Sequence, residues 1–457
     1  MDLAFSSIAE IAAAIAARKI SAIEALDAHL TRIDRHNEAL NAVIILDREV
    51  ARERARQADA AQARGDVPGS LHGVPFTLKD THETAGMRTT AGFPPFADYV
   101  ANQDSPVVAR LKAAGGILIG KTNVATMLGD WQSDNPLFGR TGNPWDLSRT
   151  AGGSSGGAAA AVASGMTPFE VGTDMQDSIR LPAAFCGVYG LKPTEHRVSL
   201  AGAFPDPGGI ARSVRLMSCV GPLARDIEDL ALIHRIIAGP DRADTDLPPV
   251  PVGPTPELEL KSLRIAFAGS FPGFPVAAEI GAAVESLAAR LASAGAIVEE
   301  AKLPKLDLHD DLAEGGKLIG MMFEAAQPEP PERPTPVSRW FAALARRDRS
   351  ILAWERFFET CDALLCPVAM ATAFPHCKPG SPLAVNGKDE SYWMLPAHGA
   401  VFNYSGHPAL AFPCGHDGSG LPIGLQLVGR HWSETRLLGI ARAIAPFTGG
   451  FRQPPGY

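Results

Sequence analysis

Two stretches near the N-terminus place a serine three residues before a glutamate at the start of an apolar run, Ser7-Ile8-Ala9-Glu10 and Ser21-Ala22-Ile23-Glu24. In this capping-box pattern each side chain satisfies a backbone N–H left free at a helix start, so residues 1–65 are predicted to be helical. The period then changes. Residues 74–79 are apolar, end on a polar Lys-Asp pair and read as a buried strand. Residues 107–114 read as a helix, 117–119 as a short strand, and 143–157 as a long loop rich in proline, glycine and serine. A helix of small residues able to pack closely on a sheet starts over 158–163, and 169–171 and 187–191 are further strands. A proline-stiffened linker covers 246–256, and 328–336 is a second exposed loop. Strand 263–267, helix 277–294 and strand 296–300 make a βαβ pattern, and no internal repeat interrupts the alternation. The chain is predicted to be an α/β layered protein.

Composition adds little that is specific but excludes several classes. Over 457 residues, 46% are hydrophobic and 20% charged, which is ordinary for a soluble globular protein. A net charge of −8 argues against nucleic acid as the main partner. No run approaches the ~18 apolar residues of a membrane helix, and residues 1–30 lack the pattern of a signal peptide. Six cysteines without paired spacing suggest a reduced, cytoplasmic compartment. Asn403-Tyr404-Ser405 matches a glycosylation acceptor and is read as a chance match.

Several motifs compete as the seat of chemistry. Residues 115–122 match the phosphate loop GxxxxGK[ST], but a helix precedes them and Ile117-Leu118-Ile119 favour a strand, so no N–H cradle is expected there. Gly152-Gly153-Ser154-Ser155-Gly156 matches the nucleophile elbow GxSxG; no strand is predicted before it, although His196, His398 and His407 follow as candidate bases. HExxH and CxxC are absent, and no metal or other cofactor is expected. Three segments remain: 72–80 with Lys79, 151–157 with Ser154, and 172–180 with Ser178. A serine needs a base to take its proton, a buried lysine can lose its charge and become that base, and a glycine-rich turn can present N–H groups to an oxyanion. Together they suggest a serine-lysine hydrolase.

These segments resemble the amidase signature family, which hydrolyses carbon–nitrogen bonds of amides. The resemblance rests on Gly152 to Gly157, on Gly172 to Arg180 running on into Pro182-Ala183-Ala184-Phe185-Cys186-Gly187, and on a spacing of 24 residues between Ser154 and Ser178. Gly120-Lys121-Thr122-Asn123, Gly221-Pro222-Leu223-Ala224-Arg225 and Gly420-Leu421-Pro422-Ile423-Gly424-Leu425-Gln426 extend it nearly end to end. It implies an α/β/α sandwich around a central mixed, mostly parallel twisted sheet. It also implies one domain over 1–457, made of N-terminal helices (1–65), a signature core (66–245), the linker (246–256) and a variable half that shapes the substrate pocket (257–457).

By the same resemblance Ser178 is the nucleophile, Ser154 a proton relay in cis peptide geometry, and Lys79 the neutral base. The N–H groups of Met175, Gln176, Asp177 and Ser178 would form the oxyanion hole, and Asp174 and Arg180 would pair to hold the loop. Two departures from the family stand out. Gln176 and Asp177 replace the usual pair of glycines, and Thr126 stands where many relatives have glutamate. Asp177 is expected to point away from the acyl carbon, since an anion there would oppose the charge the site must stabilise.

For the substrate, Met127, Trp131, Gly152, Gly153 and Phe402 are candidate binding residues, with Met175, Met321, Met322 and Trp393 as further apolar or aromatic surface. They suit a small-molecule aryl or alkyl amide, with carbamates (urethanes) and esters as extensions. The chain is expected to act as a monomer or homodimer, without nucleic acid or membrane. Two alternatives are the amidase component of a glutamine-dependent amidotransferase and a non-catalytic binding protein on the same scaffold.

Overall fold

The computed structural model describes residues 2–66, 69–206, 213–326 and 331–457. Both capping boxes form: Ser7 opens the helix Ile8–Ala16 and Ser21 the helix Ala22–Leu40, each with reciprocal hydrogen bonds to its glutamate. Of the exposed loop expected at 328–336, residues 328–330 lie outside the described residues.

Eight strands form the main sheet, in the order Ile297–Glu300, Arg264–Phe267, Ala363–Pro367, Pro422–Val428, Ala409–His416, Tyr189–Lys192, Cys219–Ala224 and Phe169–Asp174. The α/β class and the mixed sheet are as expected. The balance within the sheet is different: Arg264–Phe267 pairs parallel with both neighbours, and the other five pairings are antiparallel. The βαβ unit of residues 263–300 sets the parallel end. Elsewhere successive strands return directly, as at Ala409–His416 and Pro422–Val428, whose short connection permits only an antiparallel pair. A second sheet of three strands holds Pro75–Lys79 parallel to Ile117–Thr122, with Val43–Leu46 antiparallel on the far side.

Helices cover both faces. Ile227–Ile237, Ala278–Ser293 and Glu434–Thr448 pack together on one; Gly156–Ala163 and Arg180–Cys186 pack together on the other. All eight residues of Gly156–Ala163 are buried, as its run of glycine and alanine allows. Arg180–Cys186 lies so close to the sheet that a Cβ on Gly424 would collide with Ala184. The segment expected as one long loop contains a hairpin, Gly142–Asn143 paired with Asp146–Thr150, which the turn residues between them had obscured. No described helix is long and apolar enough to cross a membrane.

Candidate active site

Lys79 ends the strand Pro75–Lys79, whose five residues are all buried. Its Nζ lies 2.8 Å from Ser154 Oγ, 2.7 Å from Ser155 Oγ and 2.9 Å from Thr173 Oγ1. Burial pushes this amine down from 10.5 to about 7, against the opposing pull of the Asp174 and Glu170 carboxyls. Glu170 moves the other way, to about 7, because it too is buried; its Oε1 accepts from Thr122 Oγ1 at 2.7 Å. Lys121, the lysine of the phosphate-loop match, sits inside a buried strand, with its ammonium on the His82 carbonyl and Thr89 Oγ1. It faces the interior and cradles nothing.

Ser154 follows a cis Gly153-Ser154 peptide. The turn around it is braced by Ser133, whose Oγ accepts the Gly156 N–H at 2.8 Å and reaches the carbonyls of Gly152 at 3.0 Å and Ser154 at 3.2 Å. A strand does precede the elbow-like sequence, but only as the outer arm of the hairpin. None of the candidate histidines is a recorded partner of either serine: His196 lies by Glu195, His398 by Ser270, and His407 by Ser405 and Glu355. The base beside Ser154 is Lys79.

Ser178 stands just before the helix Arg180–Cys186, nearly buried, and its carbonyl accepts the Ser155 N–H at 3.2 Å. The loop leading to it is fixed from below. Asp174 accepts N–H groups from Asp177 at 2.9 Å and Ile179 at 3.1 Å, and receives the Arg180 guanidinium at 3.0 and 3.1 Å. Burial alone would raise the Asp174 carboxyl; Arg180 and its other donors bring it down to about 2. The expected Asp174–Arg180 pair is therefore present, fully buried.

One expectation about the oxyanion loop needs correction. The Asp177 N–H is engaged by Asp174 and by Asn403 Oδ1 at 3.2 Å, so it faces the protein interior. The N–H groups of Met175, Gln176 and Ser178 have no recorded acceptor, and Met175 and Gln176 are partly exposed. Asn403 itself escaped sequence reasoning. Its amide donates to Asp174 at 2.8 Å and to the Met217 carbonyl at 3.1 Å, while its oxygen accepts from Arg180 at 2.7 Å. The residue that matched a glycosylation acceptor is a buried hub.

The substrate candidates separate. Phe402 is interior, edge-on to Trp354 at 5.1 Å and to Phe271 at 6.0 Å; its aromatic ring belongs to the core and not to a pocket. Met322 is likewise core, and Gly152 serves the tight turn against Pro182. Trp131 is buried with its backbone against Gly153, and its indole N–H has no partner. Met127 and Trp393 are exposed. Met175 instead joins Met217, Leu318, Ala343 and Tyr404, an apolar wall flanked by Met321 and Trp340.

Glu355, His407 and His431 approach one another closely although sequence spacing gave no metal motif. The two imidazoles stack 4.0 Å apart with planes 25° from parallel, so their lone pairs run side by side rather than converge. Glu355 already accepts from His407, the His431 N–H and Arg430. The cluster is satisfied from within.

The family model "Amidase" matches residues 24–326 and 331–438. Over 497 aligned residues the chain is 35% identical to the amidase component (the A chain type) of the Glutamyl-tRNA(Gln) amidotransferase of Moorella thermoacetica, covering 100% of this chain and 99% of that protein. Among solved structures, a chain from a vestigial protein complex that reveals the evolutionary origins of an s-triazine catabolic enzyme superposes with a TM-score of 0.86 at 28% identity, covering 98% and 100% of the two chains. A 6-aminohexanoate cyclic dimer hydrolase complexed with substrate gives 0.83 at 27% identity, covering 99% of each.

Proposed function

This chain belongs to the amidase family of carbon–nitrogen hydrolases, and we propose that Lys79, Ser154 and Ser178 carry its reaction through an acyl-enzyme on Ser178. The observation that carries this reading is a lysine stripped of water, titrating near neutrality and ringed by three hydroxyl groups. A neutral amine can accept the Ser154 proton at 2.8 Å, as an ammonium cannot. Ser178 Oγ attacks the carbonyl carbon while its proton passes through Ser154 to Lys79. The oxyanion is received by the N–H groups of Met175, Gln176 and Ser178. Lys79 returns the proton through Ser154 to the leaving nitrogen, and the C–N bond breaks. Water then adds to the acyl carbon by the same relay and restores the Ser178 hydroxyl.

The apolar wall beside Met175 supports an aryl or alkyl amide as substrate, with carbamates and esters presenting the same acyl carbon. A second reading has its own support. Whole-length identity of 35% to an amidotransferase component favours a chain that releases ammonia from an amide within a larger assembly. A fluorophosphonate probe followed by peptide mapping should label Ser178; label on Ser154 or Ser155 would restore the elbow reading. Purified alone, the chain should hydrolyse p-nitroanilides, free amides or carbamates. Activity on glutamine only, and only with partner proteins, would establish the second reading instead.

A further inference from the structure

Asp177 is where this chain departs most from its family, and the structure gives that departure a partner. Its backbone has φ 74°, the left-handed region that glycine enters freely and that aspartate tolerates better than most residues. Its side chain is fully buried and directed at the helix Ala397–Tyr404, where a Cβ built on Gly399 would fall inside the Asp177 carboxyl group. The carboxyl also lies 3.2 Å from Arg180 Nε, without a well-aligned hydrogen bond. Arg180 is otherwise spent on Asp174, Asn403, the Gly399 carbonyl and Gln426, at 2.7 to 3.1 Å. Two carboxyls thus share one guanidinium, and the Asp177 group rises well above the ordinary carboxylate range, because burial outweighs Arg180. A neutral carboxyl wedged against a bare Cα is a spacer.

We propose that Asp177 is a positioning residue whose side chain, seated in the slot left by the missing side chain of Gly399, sets the position of the nucleophile loop. The idea rests on the reading of Ser178 given above. Its physical content is steric: Asp177 at a glycine-like φ restricts the loop from within, and Gly399 fixes how far the loop can sink toward the helix. The N–H groups of Gln176 and Ser178 flank the wedge, so their aim depends on it. A displacement of ~1 Å at such donors costs on the order of 10²-fold in rate.

The test is a cycle of Gly399→Ala, Asp177→Gly and the double variant, read by thermal midpoint, by the rate of fluorophosphonate labelling, and by kcat and KM separately. Gly399→Ala should lower kcat by about 10²-fold, with little change in KM, and lower the midpoint. Asp177→Gly removes the obstacle, so the double variant should recover most of both losses and resemble Asp177→Gly alone. Should Gly399→Ala not fold, a folded double variant makes the same point. A Gly399→Ala enzyme equal to wild type, or a double variant no better than Gly399→Ala, overturns the pairing. The midpoint cycle tests the wedge even if no amide is turned over. Failure of the acyl-enzyme reading appears separately, as absent labelling of wild-type Ser178.

Discussion

Residues 150–195 and the helices Leu308–Ala325 and Val337–Phe357 are held in opposite ways. In the first region only Met175 and Gln176 are not fully buried, although it contains Ser154, Ser155, Glu170, Asp174, Asp177, Ser178 and Arg180. In Val337–Phe357 one stripe is buried, Ala343, Arg347, Ser350, Trp354 and Phe357, and Val337, Phe341 and Leu352 face solvent. Polar groups survive in the first region because partners replace the water they lost. Removing one partner there leaves a charge without compensation. Removing an exposed side chain from the helix leaves almost nothing changed.

The comparison fails first if the buried region tolerates a broken ion pair. Arg180→Leu strands Asp174 and should destabilise the protein by about 3–5 kcal/mol, measured by denaturant unfolding. A variant as stable as wild type would mean that the network contributes little. Lys79→Ala should cut amide turnover by about 10³-fold in a protein that still melts cooperatively. In wild type the same lysine should make turnover rise with pH through a limb near about 7, since the active form is the deprotonated one. Turnover that falls over this range would reverse the assignment of the base. At the small end, Phe341→Ser should change stability by no more than about 0.5 kcal/mol and leave kcat within twofold. A large loss would show that this exposed face is covered in the working protein.

Much of the fold was legible because its cues are local. The capping boxes, the strand ending at Lys79, the small-residue helix and the βαβ unit are written in neighbouring residues. The site was legible only in part. Lys79, Ser154 and Ser178 could be named from motifs, but Ser133, Thr173 and Asn403 could not, because contacts across tens to hundreds of residues give them their roles. Phe402 misled for the same reason: an aromatic side chain suits a pocket or a core equally, and Trp354 and Phe271 decide for the core. The backbone of Asp177 turned inward because Asp174 and Asn403 both accept its N–H, which no local pattern encodes.

Asn403, Gly399 and Gln426 lie 226, 219 and 246 residues beyond their contacts at Asp177 and Arg180. A ribosome that has passed Arg180 has already made the lysine and all the serines of the site. At roughly 5–20 residues per second it needs tens of seconds more to deliver these later partners. Until then Arg180 and its two carboxyls lack their surroundings, and the loop bearing Ser178 has no helix to rest on. The nascent chain carries its nucleophile unarmed, and a polypeptide cut short before Gln426 should remain so.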